Sequence, residues 1–361
     1  MSKPKWLKSS YIKARFSQLF VSVFKRHNQT LGNGILITST DGLGDAFMRL
    51  SLVYHLCQKN GFDNVWVVSK PPAIPLYQAL GIQVIKYTDR NRTSPFKRLA
   101  LVNELNRLPI DKVLALEFTR NEDLIDLIVQ KNKIGFSHNG NPENDRQLSE
   151  VVTNPGYAGD ALTNMSQHLG SDVKLMDNTD FLSRFIADIK PQIINTQQEQ
   201  LHVVLAVGAA ASEKMMRISN IVKIMEALYS AYPNIHFTLI GFGKRDDKYT
   251  KLIEKHYKAQ NLQNLVSKAS LKETIEIVAN CDLLIGFDSG MYNLAFTLKK
   301  PTICFATHVE TALHEADCLR VIRGTDTEYG VSDEYGCKRT NSVYPEVVIS
   351  QFEELQKITE K

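Results

Sequence analysis

From Gly34 onward, short apolar runs alternate with longer stretches of helical spacing. ILITS (35–39) precedes a helical pattern over about 45–59, NVWVVS (64–69) one over about 72–80, QVIKY (83–87) one over about 96–107, and KVLALEF (112–118) one near 121–130; NKIGFS (132–137) reads as another buried strand. Alternation of this kind predicts parallel strands joined by crossover helices, the α/β class. Residues 138–160 (HNGNPEND, then TNPGYAGD) carry loop chemistry. A helical pattern is expected over about 160–188, and Pro191 through Gln200 reads as a polar linker. The alternation then resumes: HVVLAV (202–207), helix 218–231, IHFTLIG (235–241), helix 246–258, NLVS (264–267), helix 271–279, CDLLIGF (281–287), helix 290–298 and PTICFA (301–306). After Pro345 the run VVISQFEELQKI predicts a closing helix. The expected organisation is an N-terminal helical arm over 1–30, a first Rossmann-like domain over 31–190, a second over 191–340 and a C-terminal helix over 341–361. Two such domains are expected to leave a cleft at the carboxyl ends of their strands, where open α/β sheets bind ligands.

The arm changes the picture in one respect. Residues 1–40 contain Lys3, Lys5, Lys8, Lys13, Arg15, Lys25 and Arg26 and no acid. Leu7, Tyr11, Ile12, Phe16, Leu19, Phe20, Val23 and Phe24 recur at three- and four-residue spacing, a stripe of a cationic amphipathic helix. Gln18 and Ser22 interrupt the apolar run and no A-x-A site follows, against a signal peptide. Two readings stand: attachment of residues 3–26 to an anionic membrane surface, or docking of the stripe on the body of the protein. A length of 361 residues suits two domains of about 150 each. With 43% hydrophobic and 23% charged residues the composition is that of a folded globular protein. A net charge of +4 is too small to indicate nucleic-acid binding. No uncharged apolar run reaches the roughly 18 residues that would span a bilayer. Cys57, Cys281, Cys304, Cys318 and Cys337 are scattered, with no CxxC pair, which speaks for a reducing cytoplasm over a disulfide framework or structural zinc.

Three strand-end segments carry candidate chemistry. STDGLGDAF (39–47) follows the first strand, with Gly42 and Gly44 allowing a tight turn. The third glycine of a dinucleotide fingerprint would stand at Phe47, whose ring obstructs close helix-to-strand packing, and no GK[ST] follows; neither NAD nor a P-loop is indicated. Asp45 then either caps the helix or faces the cleft as a general base, and Asp41 is a second candidate base. AVGAAASEKMMR (206–217) offers the Ser212 hydroxyl and the Lys214 cation, which can neutralise a diphosphate; a solvated lysine is the bland alternative, and Arg217 is a weaker candidate. In CDLLIGFDSGMYNLAF (281–296) a strand runs into Asp288, Ser289 and Gly290 at a helix start, a ready anion site. There Asp288 suits sugar hydroxyls or a cap, while the Ser289 and Gly290 N–H groups suit phosphate. In GFGKRDD (241–247), Gly243 and one of the acids are candidates for the nucleotide's base or ribose. His308, Glu310 and His314 lack metal-ligand spacing.

Taken together, GLGDAF, GAAASEK and CDLLIGFDSGMYNLAFTLKKP resemble the ADP-heptose:lipopolysaccharide heptosyltransferases, glycosyltransferase family nine, over residues 34–306. The resemblance implies a GT-B fold of two facing Rossmann-like domains, acceptor on the first and nucleotide-sugar on the second. It implies transfer with inversion and without a metal or other cofactor, and no D-x-D is present. Carried over, Asp45 is the catalytic base and Asp41, Gly42 and Gly44 lie on the acceptor side. Ser212, Lys214, Gly243, Asp288, Ser289, Gly290 and Asn293 hold the donor, a nucleotide diphosphate sugar expected to be ADP-linked. The acceptor is a lipid-linked saccharide of the lipopolysaccharide or lipooligosaccharide core, met at the cytoplasmic face of the inner membrane. Three departures bear on the donor: Asn293 stands where the family usually has His, Met216 and Arg217 replace an aromatic-proline pair, and ATHVET (306–311) replaces a glycine-containing turn. They leave a second reading, a non-catalytic GT-B relative that binds a nucleotide or glycan.

Overall fold

The computed structural model describes residues 9–26, 30, 32–118, 122–137, 145–182, 199–307, 316–326 and 334–359. The chain divides into two compact units, Met1–Leu175 and Met176–Lys361. The division falls ahead of the polar stretch at 191–200, most of which lies outside the described residues, as do His308, Glu310 and His314.

The first unit is built on β1 (Gly34–Ser39), β2 (Val65–Ser69), β3 (Gln83–Lys86), β4 (Ile110–Ala115), β5 (Lys133–Phe136) and β6 (Glu150–Val152), in the spatial order β3-β2-β1-β4-β5-β6. All neighbours pair in parallel. Every residue of β1 is buried, the expected fate of a central strand covered on both faces by crossover helices. The crossover helix Leu43–Asn60 buries Phe47 completely.

The second unit repeats this topology. Its strands β7 (Leu201–Ala206), β8 (Ile235–Ile240), β9 (Leu262–Asn264), β10 (Leu283–Phe287), β11 (Thr302–Phe305) and β12 (Leu319–Ile322) lie in the order β12-β11-β10-β7-β8-β9, again all parallel. The closing helix Pro345–Thr359 sends Val348, Phe352 and Leu355 into this core, and Phe352 meets the Tyr232 ring edge-on at 4.9 Å. Strand order reverses between β1 and β4 in one unit and between β7 and β10 in the other. Those are the switch points at which open parallel sheets take ligands.

The structure departs from the sequence pattern in four places. The helix expected over 160–188 is Ala158–His168 followed by a short turn of helix, Thr179–Leu182; Gly170 at φ 58 takes the left-handed conformation that ends a helix. The stretch read as loop contains edge strand β6, and β12 follows the last expected strand; three and four residues are too few to show a period. Strand β9 lies two residues earlier than NLVS. The fourth departure concerns the N-terminal helix, Ser9–Phe24. It packs on the helices Asp89–Thr93 and Pro95–Leu105, chiefly through Ala14, Ser17 and Val21, with Phe20 the member of the apolar stripe that joins the core and Ile12, Phe16, Leu19, Val23 and Phe24 left exposed. Small residues let the backbones approach: Arg98 Nη1 donates to the Ala14 carbonyl at 3.0 Å.

Candidate functional site

In the first unit the chain leaves β1 at Ser39, turns through Thr40, Asp41 and Gly42, and enters the helix Leu43–Asn60. Gly42 is the N-cap, and Asp45 in the first turn accepts its N–H on Oδ2 at 2.9 Å. The backbone at Gly42 is ordinary extended chain, so its glycine is explained by space: a Cβ there would stand 3.1 Å from Asp45 Oδ2. The cap and the candidate base are therefore one carboxylate. Burial, with Asp41 beside it, pushes the Asp45 carboxyl up to about 6, against the pull of Arg49 and the Gly42 hydrogen bond. A base with that affinity is largely ionised at neutral pH yet takes a proton readily.

Asp41 is differently placed. Its two carboxylate oxygens are gripped by Nη1 and Nη2 of Arg49, which is fully buried and also donates to Ser39 Oγ at 2.7 Å. The Arg49 guanidinium lies 5.0 Å from the centroid of the Phe118 ring. Glu117, just beyond β4, is buried and accepts from Thr38 Oγ1 at 2.7 Å, Thr40 Oγ1 at 2.9 Å and Thr40 N–H at 3.2 Å. Burial and the charge of Asp41 raise its carboxyl above the ordinary range. Asp41, Arg49 and Ser39 thus form a tied network beside Asp45 at the β1/β4 switch point, and Glu117 is tied separately to Thr38 and Thr40 of the same strand end. Arg49 and Glu117 were not among the sequence candidates. The available signal was a single charge in an apolar run: MRLSLVY for one, VLALEF for the other.

In the second unit Lys214 closes a short turn, Ser212–Lys214, after β7, while Asp288 follows β10 directly. The two meet: Lys214 Nζ donates to Asp288 Oδ2 at 2.6 Å, both side chains partly exposed. Ser289 is the N-cap of the helix Gly290–Thr297, and its side chain makes no capping bond. Ser289 Oγ and Asn293 Oδ1 are buried without a hydrogen-bond partner among the described residues, and so is Thr307 Oγ1 beyond β11. The Asp288 N–H bonds the Phe305 carbonyl at 3.3 Å, tying the two strand ends together. Native proteins rarely leave buried polar atoms unpaired, so three at adjoining strand ends, beside a cation and a helix N-terminus, mark a ligand site. Thr307 is an addition to the sequence candidates; it stood inside ATHVET as one of two threonines with nothing to single it out.

The remaining donor candidates are not drawn into this cluster by any bond. Ser212 gives its carbonyl to the Gly336 N–H at 2.9 Å. Gly243 caps the helix Lys244–His256 at φ 100, and its N–H donates to Ser267 Oγ at 2.9 Å. Of the two acids after it, Asp246 is buried and turns inward, accepting the Phe242 N–H at 3.0 Å. A Cβ on Gly208 or Gly241 would strike its Oδ2 at 2.5 or 2.9 Å, so these glycines make room for a carboxylate that builds the turn. Met216 is fully buried in the core. Among the described residues no three His, Cys, Asp or Glu side chains gather as a metal-binding set.

Two parallel α/β sheets of one topology, each with polar groups at its switch point, define a protein of the GT-B kind. The chain is similar over 91% of its length to the whole of heptosyltransferase II of E. coli, with TM-score 0.64 at 14% identity. Over 89% of its length it is similar to 99% of E. coli heptosyltransferase WaaC, solved with ADP-2-deoxy-2-fluoro heptose, with TM-score 0.67 and 14% identity. These likenesses establish the fold. In sequence, residues 193–311 match the family model for glycosyltransferase family 9 (heptosyltransferase). The chain is also 28% identical over 126 residues to lipopolysaccharide heptosyltransferase 1 of Campylobacter coli, covering 33% of this chain and 36% of that one. It thus spans about a third of the length of the curated relative that it matches. The segment that matches the family model takes in Lys214, Asp288, Ser289, Asn293 and Thr307.

Proposed function

We propose that the protein is an inverting glycosyltransferase that moves a heptose or related sugar from a nucleotide diphosphate donor, ADP-linked in the first instance, to a lipopolysaccharide core acceptor. The observation that carries the reading is the Lys214–Asp288 pair, with three buried polar atoms that have no hydrogen-bond partner among the described residues at the same and the adjoining strand end, all inside the family-matched segment. On this reading the donor's diphosphate meets the Lys214 ammonium and the free N–H groups at the start of the helix Gly290–Thr297, while Ser289, Asn293 and Thr307 gain the partners they lack. Asn293 contributes a hydrogen bond but no charge, so Lys214 supplies the cation itself.

Transfer is a single displacement. An acceptor hydroxyl oxygen attacks the anomeric carbon from the face opposite the diphosphate, the bond from that carbon to the phosphate oxygen breaks, and the configuration inverts. The acceptor proton passes to the Asp45 carboxylate, and the departing nucleoside diphosphate carries away the electron pair beside Lys214. The transition state resembles an oxocarbenium ion, as in glycoside hydrolysis. The base and the preorganised cation each contribute on the order of 2–4 kcal/mol to lowering the barrier. No step in this scheme calls for a metal, and the acceptor side of the chain would work against a lipid surface.

Thermal melting across a panel of nucleotides and nucleotide sugars tests the donor half, because a ligand bound only by the folded state raises the melting point. ADP or ADP-heptose is expected to stabilise the wild type and not Lys214→Ala. A response confined to uridine, guanosine or cytidine nucleotides rejects the heptose donor. Sugar transfer by the wild type that is lost in Asp45→Asn, with nucleotide binding retained, separates an enzyme from a binding protein.

A further inference from the structure

The helix Ser9–Phe24 has two faces of different character. At about 100° per residue, Ala14, Ser17 and Val21 fall within an arc of about 60°, and this is the face buried on the first unit. Ile12, Phe16, Leu19 and Val23 occupy an arc of similar width on the opposite side, 57%, 62%, 66% and 66% exposed. Phe96, 73% exposed on the neighbouring helix, extends this surface through Phe20, whose ring it meets at 5.4 Å. Four large apolar side chains left in water along one face of a helix, with a fifth beside it at Phe96, mark a surface with a partner.

Charge identifies the partner. Residues 1–40 carry Lys3, Lys5, Lys8, Lys13, Arg15, Lys25 and Arg26 and no aspartate or glutamate. Lys13 and Arg15 flank the exposed stripe on either side, and Lys86, Arg90 and Lys97 share a recess with the single acid Asp89 on the adjoining segments. A second copy of the chain brought face to face on this stripe would set the flanking Lys13 and Arg15 against their own counterparts. An anionic lipid surface would satisfy both features at once, taking the apolar stripe at the level of the headgroups and the cations against phosphate. No helix among the described residues is long and apolar enough to cross a membrane.

We propose that the helix Ser9–Phe24 is an in-plane membrane anchor: it is fastened to the first unit by Ala14, Ser17 and Val21 and enters an anionic bilayer surface through Ile12, Phe16, Leu19, Val23 and Phe96. The inference deepens the reading of a lipid-linked acceptor and rests on it for its purpose, though the surface stands on exposure and charge alone. Because the helix is bolted to the body by its opposite face, it fixes the orientation of the whole first unit on the membrane, which a flexible tail would not do.

Flotation of the full chain with vesicles tests it, using phosphatidylcholine alone and phosphatidylcholine with about one part in four phosphatidylglycerol. Binding is expected to the anionic vesicles only, to weaken in high salt, and to fall about tenfold or more in Phe16→Ser/Leu19→Ser. That variant should keep its melting temperature and its ADP response, which shows a folded chain and keeps the outcome for the anchor apart from the outcome for the donor site. Equal binding by the variant and the wild type, or no binding to anionic vesicles by a folded wild type, overturns the proposal. So does a dimer that the double variant dissociates while leaving vesicle binding unchanged, since the stripe would then belong to a second copy.

Discussion

Replacing Asp45 by Asn should stabilise the protein while stopping turnover, and the pH dependence of that gain is its signature. Burial beside Asp41 raises the Asp45 carboxyl from 3.8 to about 6, which at about 1.4 kcal/mol per tenfold corresponds to about 3 kcal/mol of destabilisation once the group is ionised. Because the folded state binds the proton more tightly than the unfolded chain, stability is highest below about pH 4 and falls as pH rises towards and through about 6. Partial contact of the carboxylate with solvent reduces the effect to about 1–3 kcal/mol. Asparagine carries no charge to bury and keeps an oxygen for the Gly42 N–H. For a unit of this size the gain at pH 8 is a rise of roughly 3–8 °C in the melting transition that carries the first unit, shrinking to about half by pH 5, where the folded wild type is already mostly protonated. Scanning calorimetry of both proteins from pH 5 to pH 8 measures it. A melting point that drops in Asp45→Asn, or a gain that does not change with pH, would refute the assignment of a desolvated, proton-hungry carboxylate to this position.

Other positions give sharper local tests. Thr307→Val removes a buried hydroxyl that has no partner among the described residues, so the free protein should be as stable as the wild type or slightly more so, while ADP affinity by calorimetry should fall several-fold. Loss of stability without loss of affinity would mean the hydroxyl serves the fold. Gly243→Ala forces an L side chain to φ 100 with open space around it, a backbone cost of about 1–2 kcal/mol that urea denaturation should register.

The two sheets were legible because their strands announce themselves: ILITS, VWVVS, HVVLAV and LLIGF are dominated by apolar, largely β-branched residues with polar ones only at or near their ends, and helices of clean periodicity such as Ile218–Ala231 separate them. The site segments were legible for a related reason, since the ends of central strands are where topology places ligands. What stayed hidden depends on pairing across the chain. Nothing local in EVV marks β6 as an edge strand, because three residues cannot show a period. The aromatic stripe of the first helix was visible as a stripe, but its direction was set by Ala14, Ser17 and Val21 finding a bed on the helix Pro95–Leu105, a contact about 80 residues away. Asp246 illustrates the reverse. By pattern it was one of two acids that could meet the nucleotide, and only the structure shows its Oδ2 taking the Phe242 N–H in the space left by Gly208 and Gly241.

The Asp41–Arg49 pair beside Asp45 explains how a carboxylate so placed can serve as a base. Asp41 and Arg49 neutralise each other in a two-pronged pair, so of the three groups Asp45 carries the excess negative charge, and a proton taken from an acceptor hydroxyl removes it. Arg49 feels both carboxylates, drawing Asp45 down while Asp41 pushes it up. Asp41→Asn should therefore lower the affinity of Asp45 for a proton twice over, by deleting a like charge and by releasing the Arg49 guanidinium towards the remaining carboxylate. In the wild type kcat/KM should climb about tenfold per pH unit below about 6 and then level off. In Asp41→Asn that limb should move to lower pH and the plateau should fall, since a weaker base removes the proton less readily. If Asp41 only props up the turn, the variant would lose rate with the limb in its original place, and that result would remove Asp41 from the tuning of the base.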